Sequence, residues 1–186
     1  MRVISGTAKG KKLKVPKGKI RPLTDRAREA LFNILQSRIA DSCFLDLFAG
    51  TGSVGIEALS RGATLAIFVE LEKSSVRVIR ENLENCDVSD RAEVYELDVV
   101  RALRILKLKE AKFDIIFIGA PYGSPNLEKA LQELSDGNML RPKGVVVAEH
   151  RKQHKLLESY GQLQAAREAK YGETVLTFYE DSNLSR

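Results

Sequence analysis

The sequence predicts an α/β domain whose mostly parallel, doubly wound sheet is covered by helices on both faces. Three observations predict it. From Cys43 onward, apolar strand-like runs alternate with segments of helical periodicity. The runs are nearly continuous in apolar residues, as in Ile115-Ile116-Phe117-Ile118, which is the pattern of strands buried on both faces. The first run breaks into the glycine-rich turn Gly50-Thr51-Gly52 before a helix, where open α/β sheets hold ligands beyond their strand ends.

Residues 2–15 alternate weakly between apolar and basic positions (Val3, Ile4, Leu13, Val15) around Gly6 and Gly10, which predicts a small β-hairpin with one basic face. Pro16-Lys17-Gly18 and Arg21-Pro22 punctuate a linker. Thr24 is placed to N-cap a helix, with Asp25 complementing its dipole and Ala27, Leu31, Ile34 and Leu35 giving it a core face. Strands are predicted at 43–48, 65–69, 92–97, 113–118 and 144–148, and helices at 53–61, 72–85, 99–106 and 126–135. Val76, Ile79 and Leu83 form the apolar stripe of the second of these helices, and Gly62 stops the first. Residues 162–169 and 174–180 flank Lys170-Tyr171-Gly172-Glu173 and read as a hairpin that places an antiparallel strand at or near the sheet edge. The organisation expected is a basic N-terminal hairpin and linker (1–22), one α/β domain (23–181) and a short tail (182–186).

No apolar run is long enough to span a bilayer, and Met1-Arg2-Val3 does not begin a signal peptide, so a cytoplasmic protein is expected. Cys43 and Cys86 make neither a metal nor a redox spacing and read as reduced thiols. Charge is unevenly placed. Residues 1–28 carry ten basic residues against the single acid Asp25, a net +9; with +5 for the whole chain, the remainder sums to −4. A basic end on a mildly acidic domain is either a solvated arm or a contact for a phosphate backbone.

Chemistry gathers at the strand ends. Asp46 lies four residues before Gly50, where a dinucleotide-binding loop carries an apolar residue. That offset favours a ligand with a positive amino or sulfonium group, for which S-adenosylmethionine (SAM) is the candidate. Glu70 ends the second strand and is placed to accept both ribose hydroxyls, while Asp98 follows the third and can accept from an adenine amino group. Gly50-Thr51-Gly52-Ser53-Val54-Gly55 also matches G-x-G-x-x-G, which keeps a nicotinamide cofactor as a competitor; Asp46 and Asp98 tip the balance to SAM. His150 and His154 are four apart, but no third ligand accompanies them, and no metal is expected.

A second apolar strand, residues 113–118, ends in Gly119-Ala120-Pro121-Tyr122. With residues 21–35 (RPLTDRAREALFNIL), the glycine loop, Glu70, Asp98 and Tyr171-Gly172-Glu173-Thr174, the chain resembles the bacterial 16S ribosomal RNA guanine-N2 methyltransferases of the RsmD type over residues 1–180. The resemblance implies a seven-stranded, Rossmann-like SAM-dependent methyltransferase fold, with S-adenosylhomocysteine (SAH) as product. It implies methyl transfer to an exocyclic guanine amine of 16S rRNA, on the RNA or on the assembling 30S subunit, by a monomer. It places SAM against Asp46, Phe48, Ala49, Gly50, Thr51 and Gly52, against Glu70 with Leu71, and against Asp98 with Val99. Thr24 and Arg26 would bind its carboxylate as the helix closes over the methionine end. Arg2, Lys9, Lys11, Lys12, Lys14, Arg21 and Arg28 would grip RNA.

One departure bears on catalysis. Amino-methylating members carry Asp or Asn, then Pro-Pro, then an aromatic; this chain has Gly119 and Ala120 in the first two places and keeps Pro121 and Tyr122. Gly119 has no side chain to accept from the target N–H, a loss worth on the order of 10²–10³ in rate. Asp114, five residues upstream, lies ~16 Å away along the strand and cannot replace it. The carbonyl of residue 120 can still accept, and Tyr122 can still stack on a turned-out base. Glu149 ends the next strand and has two readings, a surface acid or a substitute acceptor. Three functions therefore stand at this level: an active rRNA methyltransferase, a SAM- or RNA-binding homologue without turnover, and a nicotinamide-dependent oxidoreductase.

Overall fold

A computed structural model describes residues 1–16, 18 and 22–183. Its centre is one sheet of eight strands in the order β3-β2-β1-β4-β5-β8-β7-β6. β1 (Cys43–Leu47), β2 (Leu65–Glu70), β3 (Ala92–Glu96), β4 (Phe113–Ile118) and β5 (Leu140–Arg151) run parallel. β6 (Ser159–Tyr160), β7 (Leu163–Tyr171) and β8 (Thr174–Asp181) complete the β5 side through antiparallel pairs. The expected count of seven is corrected to eight by the two-residue β6, which Gly161 (φ 56°) turns back onto β7. Two residues are too few for any periodicity to register.

The helices alternate with the strands: α1 (Asp25–Ile34), α2 (Gln36–Ile39), α3 (Ser53–Ser60), α4 (Lys73–Asn85), α5 (Val99–Leu108) and α6 (Asn126–Glu133). Because successive strand residues face opposite sides, the core divides in two. Phe44, Phe68, Phe117 and Val147 meet α1, α3 and α4 on one face, while Leu45, Leu47, Ile116 and Val146 meet α5 and α6 on the other. Thr24 caps α1 as predicted, its hydroxyl accepting from the Ala27 N–H at 3.2 Å. Asp114 lies at the far ends of the strands, accepting from the Cys43 N–H at 2.8 Å and Arg141 Nη1 at 3.0 Å.

The N-terminal hairpin is looser than expected and firmly docked. Its two arms share one bridge, Arg2 with Lys12, and Val3, Ala8 and Leu13 are buried beneath it. The fully buried Glu57 of α3 accepts from the Ile4 N–H (2.8 Å), the Ser5 N–H (2.9 Å) and Arg61 Nε (2.8 Å). Asn82 of α4 accepts from the Lys14 N–H at 2.8 Å and donates to the Lys14 and Thr51 carbonyls, both at 3.0 Å. Gly6 crosses α3 so closely that a Cβ would stand 1.8 Å from the Ser60 carbonyl oxygen. The hairpin is therefore a fixed part of the α3–α4 surface.

Candidate active site

A cavity of about 430 Å³ opens at the C-terminal ends of β1, β2, β4 and β5, within the usual range for a small-molecule site. The β1–α3 turn forms its floor. Phe48 (φ 59°), Gly50 (φ 56°) and Gly52 (φ 74°) take the left-handed region, which folds the chain sharply from strand into helix. Gly55 lets α3 lie on the sheet: a Cβ there would meet Phe68 Cε1 at 2.4 Å and Asp46 Oδ2 at 3.2 Å.

Asp46 enters the cavity from β1 and is only 1% exposed. Burial pushes its carboxyl up to about 8, opposed by the Gly55 N–H donating to Oδ2 at 2.9 Å and reinforced by the charges of Glu70 and Glu149. Glu70 closes another wall. It accepts from the Gly50 N–H at 2.8 Å and the Glu72 N–H at 2.9 Å. The Ser53 N–H is taken by Thr51 Oγ1 at 3.2 Å. Gly50, Ser53 and Gly55 thus already give their amides to protein oxygens, two of them carboxylates. A pyrophosphate would have to displace these acids, whereas a cation is drawn to them.

Of the expected cofactor residues, the fold brings Asp46, Phe48, Ala49, Gly50, Thr51 and Glu70 to the cavity wall. Gly52 lies behind the turn, against Ile79 and Ile56. Leu71 continues from Glu70 as a large apolar side chain 65% exposed. Asp98 follows the strand paired with β2, just past the Leu97 N–H to Glu70 carbonyl bond, and caps α5 by accepting from the Arg101 N–H at 3.2 Å. Val99 packs into the core on the α5–α6 face. Pro22 and Leu23, rather than Thr24 and Arg26, line the cavity, and Arg26 is exposed on the first turn of α1.

The opposite wall is Gly119, Ala120, Pro121 and Tyr122 after β4, with Glu149 and Arg151 of β5. Tyr122 donates its hydroxyl to Glu149 Oε1 at 2.6 Å, and the Arg151 guanidinium lies 5.1 Å from the centre of its ring. Glu149 is 8% exposed, so the surface-acid reading of this residue is corrected. The signal was its phase: it follows Val145 and Val147 on the side-chain face that also carries Asp46.

The basic residues sort differently. Arg2, Lys9, Lys11, Lys12 and Lys14 are exposed on the docked hairpin. Lys11 pairs with Asp87 at 3.4 Å and Lys14 with Glu81 at 2.8 Å, so acids of α4 and of the turn after it offset part of the basic face. Arg21 lies outside the described residues. Arg28 is corrected: it is fully buried under the hairpin, donating to the Arg2 carbonyl and to Asp25 Oδ1 at 3.0 Å, and no RNA can reach it. His150 and His154 are held by Thr177 and Glu128, at 2.8 and 2.5 Å.

A family model described as conserved hypothetical protein 95 matches residues 1–180. Ribosomal RNA small subunit methyltransferase D of Haemophilus influenzae is 35% identical over 159 residues, covering 84% of this chain and 82% of its own. The chain belongs to this methyltransferase family. A putative rRNA methyltransferase of Bacillus subtilis, YlbH, is 38% identical over 181 residues, covering 97% of this chain and 98% of its own. Among solved structures, the putative methyltransferase yhhF of Escherichia coli superposes with a TM-score of 0.84 at 30% identity, covering 97% of each chain. The methyltransferase fold is therefore shared with this solved relative. Among the described residues, no helix is long and apolar enough to cross a membrane.

Proposed function

We propose that this protein transfers a methyl group from SAM to the exocyclic N2 amine of a guanine in 16S rRNA, on the RNA or the assembling small subunit in the cytoplasm. The observation that carries the reading is the pairing of two walls in one cavity. Buried Asp46 and Glu70 stand on the β1–β2 side, and the Tyr122 turn stands on the β4–β5 side. Kinship with proteins named rRNA methyltransferases supports the rRNA substrate.

Asp46 would neutralise the positive methionine end of SAM, and Glu70 would take the ribose. The exposed Leu71 offers an apolar platform for the adenine ring, with Asp98 beyond it as hydrogen-bond acceptor for the amino group. Bound SAM supplies an activated methyl on a sulfonium. Tyr122 and Pro121 would hold a turned-out guanine, whose stacking on Tyr122 is worth ~1–3 kcal/mol. Holding the amine in line with the methyl matters because its lone pair is delocalised into the purine ring. The hairpin lysines would track the phosphate backbone.

The oxidoreductase reading is set aside because Gly50, Ser53 and Gly55 already give their amides to protein oxygens. Isothermal titration tests the proposal: SAM and SAH bind and NAD does not. Binding of NAD without SAM would refute it.

A further inference from the structure

Glu149 stands where the transferred group's acceptor would have to be served. β4 and β5 run parallel in register from Ile115–Val145 to Ile118–Ala148, so the next step along each strand sets Gly119 level with Glu149. A Cβ on Gly119 would lie 3.6 Å from Glu149 Oε2 and 3.1 Å from Phe117 Cε1. The carboxylate from β5 therefore borders the space that a side chain at 119 would enter. The other oxygen is held by the Tyr122 hydroxyl at 2.6 Å, and that hydroxyl is also 3.4 Å from Thr174 Oγ1. The backbone of Glu149 lies in β5, paired with Leu176 of β8 one step past the last β4–β5 pair.

We propose that Glu149 is the catalytic acceptor of the target amine, reaching the site from β5 across the opening left by Gly119. This inference rests on the methyltransferase reading above. An exocyclic amine presents two N–H groups; a carboxylate that accepts from one of them turns the nitrogen lone pair toward the methyl. The nitrogen lone pair forms the N–C bond as the C–S bond of the methylsulfonium donor breaks, and that bond's electron pair stays on sulfur as a neutral thioether. The nitrogen is left with one proton too many. That proton passes to Glu149 and from there to water. Tyr122 is the positioning residue: its hydroxyl fixes the rotamer of the carboxylate while its ring faces the base.

The test compares wild type, Glu149→Gln, Tyr122→Phe, Gly119→Asp and the double variant Glu149→Gln/Gly119→Asp. The assays are methyl transfer to undermethylated small subunits from pH 6 to 9 and SAH titration of each protein. Gln still accepts from the Tyr122 hydroxyl, so Glu149→Gln should keep SAH affinity within about fivefold while kcat at saturating SAM falls on the order of 10²–10⁴-fold. Gly119→Asp alone should slow the reaction, since it sets a second carboxylate beside the first. In the Glu149→Gln background the same change should restore rate by at least about tenfold. A Glu149→Gln rate within about threefold of wild type would overturn the inference, as would loss of its SAH binding or a double variant no faster than the single one. A wild-type protein that binds SAH but transfers no methyl would overturn the methyltransferase reading, and the inference with it.

Discussion

SAM binding should tighten steeply as pH rises toward 8, because the site must ionise Asp46 to receive a cation. Two effects oppose one another at this carboxyl. Burial and the neighbouring charges of Glu70 and Glu149 favour its neutral form, while the Gly55 N–H favours the charged one; burial wins and holds the group at about 8. At pH 6 about one molecule in a hundred then carries the charge, and at pH 7.5 about one in four. If only the ionised form binds tightly, affinity rises about 25-fold over that interval, ~1.9 kcal/mol. The upper limit of pH 7.5 keeps most of the ligand's α-amino group, with an ordinary pKa of about 7.7–8.0, in its charged form. Calorimetric titration in two buffers of different ionisation enthalpy reads both quantities, the affinity and the proton set free. Near pH 6 about one proton should leave per SAM bound. Asp46→Asn should bind weakly with no pH slope. A wild-type affinity that is flat between pH 6 and 7.5, with no proton released, would refute the assignment of Asp46 to the cationic end of the ligand.

The remaining predictions concern the ligand-free fold and the RNA contact. Asp46 holds its proton more tightly folded than unfolded, where its value is near 3.8, so its contribution is fully present below pH 4 and is lost as pH rises through about 8. Urea unfolding should accordingly show Asp46→Asn gaining stability over wild type at pH 8 and little difference at pH 4; the reverse order would contradict the burial argument. Gly55→Ala would set a Cβ 2.4 Å from Phe68 Cε1 and must push that ring away, which should cost about 1–3 kcal/mol of stability and weaken SAH binding in the same titration. Charge reversal of Lys9 and Lys12, which face solvent, should lower the slope of log affinity for rRNA against log salt by roughly 1.4–1.8. Replacing the buried Arg28 with Met should leave that slope unchanged and alter thermal stability instead.

The features legible in the sequence were those whose causes are local. The β1–α3 turn announces itself because a strand, a positive-φ turn and a helix cap must follow each other within a dozen residues. Thr24 is similar, since its hydroxyl caps an amide three residues on. β5 was legible only from 144 to 148; it runs from Leu140 to Arg151, and its first part is masked by Pro142 and by the register shift against Phe113. α1 was expected to carry Ile34 and Leu35 on one continuous face, yet the helix ends at Ile34 and Leu35 turns the chain into α2.

Charge was the least reliable guide, because it carries no information on burial. Arg28 looks like one of ten cations in the basic segment, but it sits three and four residues before Leu31 and Phe32, on the buried stripe of α1. Its helical phase separates it from Lys9 and Lys12. Glu57 gave no sequence signal at all, because its partners Ile4 and Ser5 lie more than fifty positions away on the hairpin. Glu149 was visible as a strand-end acid, and only the parallel register of β4 and β5 sets it beside Gly119.

The most direct measurement is transfer of a labelled methyl from SAM to small ribosomal subunits isolated without this modification, followed by nucleoside analysis of the 16S rRNA. Label is expected as N2-methylguanosine at a single position, with wild-type protein turning over more than once. Absence of label despite SAH binding, or label on another atom or another RNA, would contradict it.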